Sequence, residues 1–159
     1  MKKFLKILGT TALLALVAIQ FIRPEKNDQG YGTVTYFENE TKPTAQVAAI
    51  LKTNCYDCHS AQTHYPWYAQ IAPVSFWLDD HIVHGKGHFD VSAWESYSIK
   101  KRDHKLEEVI EMVEQGEMPL NSYTWLHGNL TEGEKELLLQ WAALARLQYK
   151  DPLKLSLDN

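Results

Sequence analysis

The chain lacks what would staple it, charge it in one direction or tie it to nucleic acid. Its 159 residues hold only two cysteines, Cys55 and Cys58. A bridge between residues so close would close a tiny loop and constrain almost nothing, which excludes a disulfide-stapled scaffold. There is no basic excess either. Residues 1–24 carry Lys2, Lys3, Lys6 and Arg23 with no acid, so removing that +4 from the formal net charge of -4 leaves -8 on residues 25–159. An acidic body does not seek nucleic acid. No internal repeat, low-complexity tract, phosphate-binding glycine loop, paired-carboxylate signature or Ser/His/Asp order stands out. What is present is balanced, 45% hydrophobic and 23% charged, as in one ordinary globular domain.

The only long apolar run lies at the amino terminus. Phe4 to Ile22 is interrupted by Lys6, Thr10, Thr11 and Gln20 and stops at Arg23-Pro24. Residues 1–24 therefore read as a targeting or anchoring segment. Bulky residues stand where a signal-peptide cleavage site needs small ones, which favours an uncleaved transmembrane helix. Lys2, Lys3 and Lys6 then stay on the cytoplasmic side and the domain faces the periplasm, tethered to the inner membrane.

Residues 25–42 are polar and turn-rich and read as a linker. A helix is expected from Pro43-Thr44 to Thr53-Asn54, with Val47, Ile50 and Leu51 on one face. Gln62 to Tyr97 is rich in aromatics and histidines, with Gly85 and Gly87 weakening any helix through them. Asp103 to Gln115 reads as an amphipathic helix, its stripe made of Leu106, Val109, Ile110 and Val113, ended by Gly116. A last helix opens with the capping-box spacing Thr131 to Glu134 and buries Leu137, Leu138, Trp141 and Ala145. The expectation is a mostly α fold over 43–150, a small cytochrome c-like helical domain, with a tail at 151–159.

Both cysteines fall in Cys55-Tyr56-Asp57-Cys58-His59. C-x-x-C-H is the pattern by which two thiols add to the vinyl groups of haem while the adjacent histidine turns its imidazole onto the iron. Two intervening residues let both thiols reach neighbouring vinyls from one helical turn. The motif thus predicts covalently attached haem c, with Cys55 and Cys58 as thioether links and His59 as the proximal ligand. Three other uses of these residues compete. A thioredoxin-type dithiol wants a parallel sheet that is missing here. A zinc site would draw on Cys55, Cys58, His59 and His64, yet adjacent Cys58 and His59 point poorly at one tetrahedral centre. A plain structural disulfide is the third.

Iron opposite His59 takes methionine or a second histidine. Met118 is the candidate, on a loop after Gly116 and held by Pro119; as an apolar plug it would serve packing instead. Met112 lies mid-helix, and His127, in the same loop as Met118, is the other axial candidate. His81, His84 and His88 have a spacing that could gather a separate metal, against the two glycines among them. The aromatics of Tyr65-Pro66-Trp67-Tyr68, Phe76-Trp77, Trp94 and Tyr123 suit a haem wall and any core equally.

Ile19 to Asn27, Cys55 to Ser60, Tyr65-Pro66-Trp67-Tyr68, Ile71 to Ser75, His81-Ile82, Ser92-Ala93-Trp94 and Gly116-Glu117-Met118-Pro119-Leu120 with Tyr123 and His127 together resemble a known family. It is the small, membrane-anchored haem-binding domain proteins of the Bacteroidetes type, a cytochrome c-like group. The resemblance covers nearly the whole chain. It implies a single-haem, mostly helical periplasmic domain, with Cys55, Cys58 and His59 as the attachment motif and Met118 in the Met-Pro loop. Where relatives tend to read Gly-Arg-Glu, this chain has Gly85-Lys86-Gly87-His88.

Two functional classes follow. One is an electron carrier whose acidic exterior meets a basic redox partner protein, and it needs no catalytic residues. The other is a haem peroxidase or a gas or redox sensor with a labile sixth ligand, beside His127 or His64.

Overall fold

The computed structural model describes residues 1–150, so the tail at 151–159 lies outside the described residues. Within them the chain is mostly helical. The helices are α1 (Lys2–Ile19), α2 (Val34–Thr41), α3 (Ala45–Asn54), α4 (Tyr56–His59), α5 (Val74–His88), α6 (Ile99–Glu114), α7 (Asn121–His127) and α8 (Glu132–Leu147). Two 3₁₀ turns, Trp67–Gln70 and Val91–Ser96, flank α5.

Local chemistry sets several of these boundaries. The Thr44 side chain accepts from the Val47 N–H and caps α3, a contact that satisfies a donor the helix start would leave orphaned. The Thr131 and Glu134 side chains close the expected capping box on α8. Ser98 caps α6, which starts earlier than the stripe alone suggested, and Gly116, at φ +73, follows its end. Leu106 and Val113 are the buried part of that stripe. On α8, Leu138, Trp141, Ala142 and Ala145 are buried, whereas Leu137 is exposed because it sits a step round from the face that meets α6.

The reading of 25–42 as a linker is corrected. α2 lies inside it, and Phe37 is the hub of the core: its ring meets Trp94 edge-on at 4.9 Å, Trp141 at 5.9 Å and Phe89 at 6.1 Å. Trp141 Nε1 donates to the Thr41 carbonyl at 3.0 Å, so the end of α2 satisfies the one polar atom of a buried indole. Residues before α2 are bound too. Thr63 N–H donates to the Asn27 carbonyl, Gln29 N–H to the Ala61 carbonyl, and the Asn27 side-chain amide to Ser60 and Thr63. The polar composition that suggested a free linker serves backbone groups of the chain just after the cysteines. The folded unit therefore begins well before residue 43.

α1 buries none of its residues. Lys2, Lys3 and Lys6 occupy its first turns and shorten its apolar stretch, and among the described residues no helix is long and apolar enough to cross a membrane. The structure does not carry the transmembrane expectation for residues 1–24.

Gly85 and Gly87 do not break α5 as expected; it runs through both to His88. A Cβ on Gly85 would lie 2.9 Å from the Cys58 carbonyl oxygen, so this glycine is what lets α5 lie directly against α4.

Candidate functional site

α3 delivers the chain to Cys55, which ends that helix and opens α4. Cys55, Cys58 and His59 thus stand on one short turn, and both thiols are free. The turn is held from several sides. Tyr56, buried between the two cysteines, donates its hydroxyl to Glu38 of α2 at 2.9 Å. The Asp57 carboxylate accepts from the His64 N–H at 3.0 Å, and the Asp57 carbonyl accepts from the Thr63 hydroxyl. Ser92 accepts from the Ala61 N–H at 2.8 Å.

His59 is fixed most firmly. Its Nδ1 lies 3.0 Å from the Gly85 carbonyl oxygen and 2.8 Å from that of Phe89. Two acceptors at one nitrogen require that Nδ1 carry the proton, which leaves Nε2 with a free lone pair. Burial, opposed by those two carbonyls, pulls the His59 pKa below its ordinary value. The ring is therefore a neutral, oriented imidazole of the kind a metal ion takes, its second nitrogen held by the outer shell.

The thiols are held in their protonated form. Burial and the neighbouring Cys58 push Cys55 up to about 12, and burial with Asp57 pushes Cys58 to about 11. Redox dithiols work through a depressed thiol pKa, so the thioredoxin-type reading has the wrong electrostatics. The His64 ring is engaged by the Asp57 carboxylate at 3.0 Å and the Tyr31 hydroxyl at 3.2 Å, away from any cluster with the cysteines. On α5, His81 and His84 donate from Nδ1 to the carbonyls of Trp77 and Asp80, both at 2.8 Å. Among the described residues no group of three or more His, Cys, Asp or Glu is arranged to hold a metal ion.

Met118 is half-buried and packs against the hydrophobic core, its N–H donating to the Met112 carbonyl at 3.1 Å. Five residues on, Tyr123 donates to the Thr53 carbonyl at 2.7 Å. That bond ties α7 to the chain just before the motif, and burial, with Asp57, Cys58 and Cys55 nearby, pushes the Tyr123 pKa up to about 12. His127 stacks on Tyr123 at 4.3 Å and bonds the Tyr68 hydroxyl at 2.7 Å. A cleft of about 480 Å³ opens beside Asp57 and α7, its walls including Lys52, Asp57, His64, Tyr123 and His127 but none of Cys55, Cys58, His59 or Met118.

Sequence reasoning missed Gly85 and Phe89, which act through backbone carbonyls that no residue type advertises, and Glu38, which lay in the supposed linker. Lys86 donates to the Asn27 side-chain oxygen at 3.0 Å and ties α5 to the segment before α2.

A helical scaffold that spends this much backbone on holding one neutral imidazole beside two thiols is a cofactor-holding domain, and the donor set fits haem better than zinc or a redox disulfide. The wider chain agrees: it belongs to the haem-binding domain family, whose model matches residues 14–144. No curated relative and no solved structure gives a match.

Proposed function

We propose that this haem protein is a c-type monohaem electron carrier, with haem held covalently by Cys55 and Cys58 and ligated by His59 and Met118. One observation carries the reading: His59 Nδ1 is held by the Gly85 and Phe89 carbonyls, so only Nε2 is offered, from the same turn as two free thiols. Bound there, haem supplies one-electron exchange at its iron. The protein's own part is to present Nε2 without reorganisation and to keep both thiols close on one turn; Tyr123, five residues after Met118, is tied to Thr53 just before the motif. Carbonyl bonds at Nδ1 also make the imidazole a stronger donor. Met118 as a soft sixth ligand favours reduced iron. The domain's acidic surface then selects a basic redox partner, with the domain on the periplasmic side and α1 keeping it at a membrane.

A peroxidase or sensor is the second reading, favoured by one feature: His64 and His127 both line the cleft beside the motif, each bonded to a tyrosine hydroxyl.

The test is a reduced-minus-oxidised absorption spectrum of protein made with the haem-attachment machinery, with haem staining after denaturation. Denaturation-resistant haem with the weak iron–methionine band supports the carrier. A high-spin, gas-reactive spectrum shifts the assignment to the second reading, and absence of covalent haem rejects the c-type assignment.

A further inference from the structure

α1 is exposed from Lys2 to Ala18, yet its end is tied to one corner of the domain. Gln20 Nε2 donates to the Ala72 carbonyl at 2.9 Å, and the Ala72 N–H donates back to Gln20 Oε1 at 3.0 Å. The Arg23 guanidinium donates to the Gln70 carbonyl. That corner joins the first 3₁₀ turn to α5, and it leaves large apolar side chains in the open. Trp67 is 77% exposed, Trp77 47% and Ile71 45%, with Phe21 at 83% between the two clamping residues. The other tryptophans differ: Trp94 and Trp141 are buried, and Trp125, 81% exposed, stands on α7.

We propose that this corner docks on a lipid bilayer surface, with Trp67 and Trp77 in the headgroup layer and α1 lying at the lipid. Tryptophan prefers that layer because its ring is apolar and its N–H finds partners there. The charge pattern is divided. The four cations of residues 1–24, without an acid among them, favour anionic headgroups; Asp79 and Asp80, close after Trp77 on α5, oppose them at the corner itself, so α1 and the exposed apolar rings carry the docking. Gly85, which packs on Cys58, lies eight residues beyond Trp77 on α5, or about 12 Å along the axis. The Gly85–Cys58 contact is thus set back from Trp77 along α5.

This inference rests on the membrane-associated reading above, and two measurements separate them. Flotation of the full chain with phosphatidylethanolamine–phosphatidylglycerol vesicles tests association; a chain that stays behind overturns both. Hydroxyl-radical footprinting of the vesicle-bound chain, read residue by residue by mass spectrometry, tests the face. Without docking, Trp67 and Trp77 react at the same rates with and without vesicles. Docking slows both at least fivefold relative to the vesicle-free chain, while Leu144 on α8, 67% exposed, keeps its rate. Rates unchanged by vesicles overturn the proposal. Protection that disappears when the protein is diluted tenfold over the same lipid also overturns it, because a second copy then covers the corner.

Discussion

Gly85→Ala and Gly87→Ala add the same methyl group two residues apart on α5, and they are expected to move stability in opposite directions. Replacing a helical glycine with alanine gains about 0.5–1 kcal/mol through backbone entropy. At Gly87 a Cβ meets nothing within 4 Å, so the gain stands, toward its lower end because the helix stops one residue later. At Gly85 the new Cβ would lie 2.9 Å from the Cys58 carbonyl oxygen and 3.3 Å from the Cys58 Cβ. Both atoms belong to a turn held from several sides, and neither is the yielding end of a long side chain. α4 and α5 must part by several tenths of an ångström, and overpacking of this kind costs about 1–3 kcal/mol, more than alanine returns. The same displacement lengthens the bonds from His59 Nδ1 to the Gly85 and Phe89 carbonyls, now 3.0 and 2.8 Å. Thermal unfolding followed by circular dichroism measures both variants. At about 3–4 °C per kcal/mol for a domain of this size, Gly87→Ala is expected to rise by about 2 °C and Gly85→Ala to fall by several degrees. A Gly85→Ala protein as stable as the parent would refute the claim that α5 and the C-x-x-C-H turn are in obligatory contact there.

Phe37→Ala removes the ring that Trp94, Trp141 and Phe89 all meet and is expected to cost about 3–5 kcal/mol in urea denaturation; a loss under 1 kcal/mol would return residues 25–42 to the status of a linker. Met118→Ala is expected to abolish the iron–methionine band and lower the potential while His127→Ala leaves both in place; the reverse pattern gives the sixth position to His127. The thiols supply a pH test. Folding raises Cys55 to about 12 and Cys58 to about 11, whereas unfolded thiols ionise near pH 8.5. Above that pH the unfolded chain binds fewer protons, so haem-free protein loses about 1.4 kcal/mol per thiol for each pH unit until the folded thiols ionise. Thioether links remove both groups from titration, so the loaded protein lacks this slope. Equal slopes for the two forms, measured by urea midpoints between pH 9 and 11, would argue against covalent attachment.

The parts of this molecule that were legible in its sequence are those encoded by neighbours in the chain. Thr44, Thr131 with Glu134, and Gly116 mark helix ends because each acts within a few residues of itself. The α6 stripe is legible because periodicity is local, and C-x-x-C-H because both thiols and the imidazole use one turn. α2 was not legible. It is eight residues long and too short to show a convincing period, and Phe37 becomes the core's hub through Trp94 and Trp141, far along the chain. The α5 glycines misled for a related reason: propensity counts their cost inside the helix, and the contact that repays it lies across the interface at Cys58.

These two failures share a cause that bears on the site. The motif specifies which atoms are offered to a cofactor, but not how rigidly. Rigidity comes from Glu38 on Tyr56, from Gly85 and Phe89 on His59, and from Asn27 and Ser92 on the chain just after the motif, five positions drawn from two stretches, 27–38 and 85–92, that lie well before and after the motif in sequence. A C-x-x-C-H on a loose loop could present either imidazole nitrogen and would have to order itself at each binding event. Here the tautomer is set by two carbonyls and the turn is fastened on both flanks, so the ordering entropy is met by folding rather than by ligand binding. α2 and α5, the elements least visible in the sequence, therefore convert a common five-residue pattern into an oriented site.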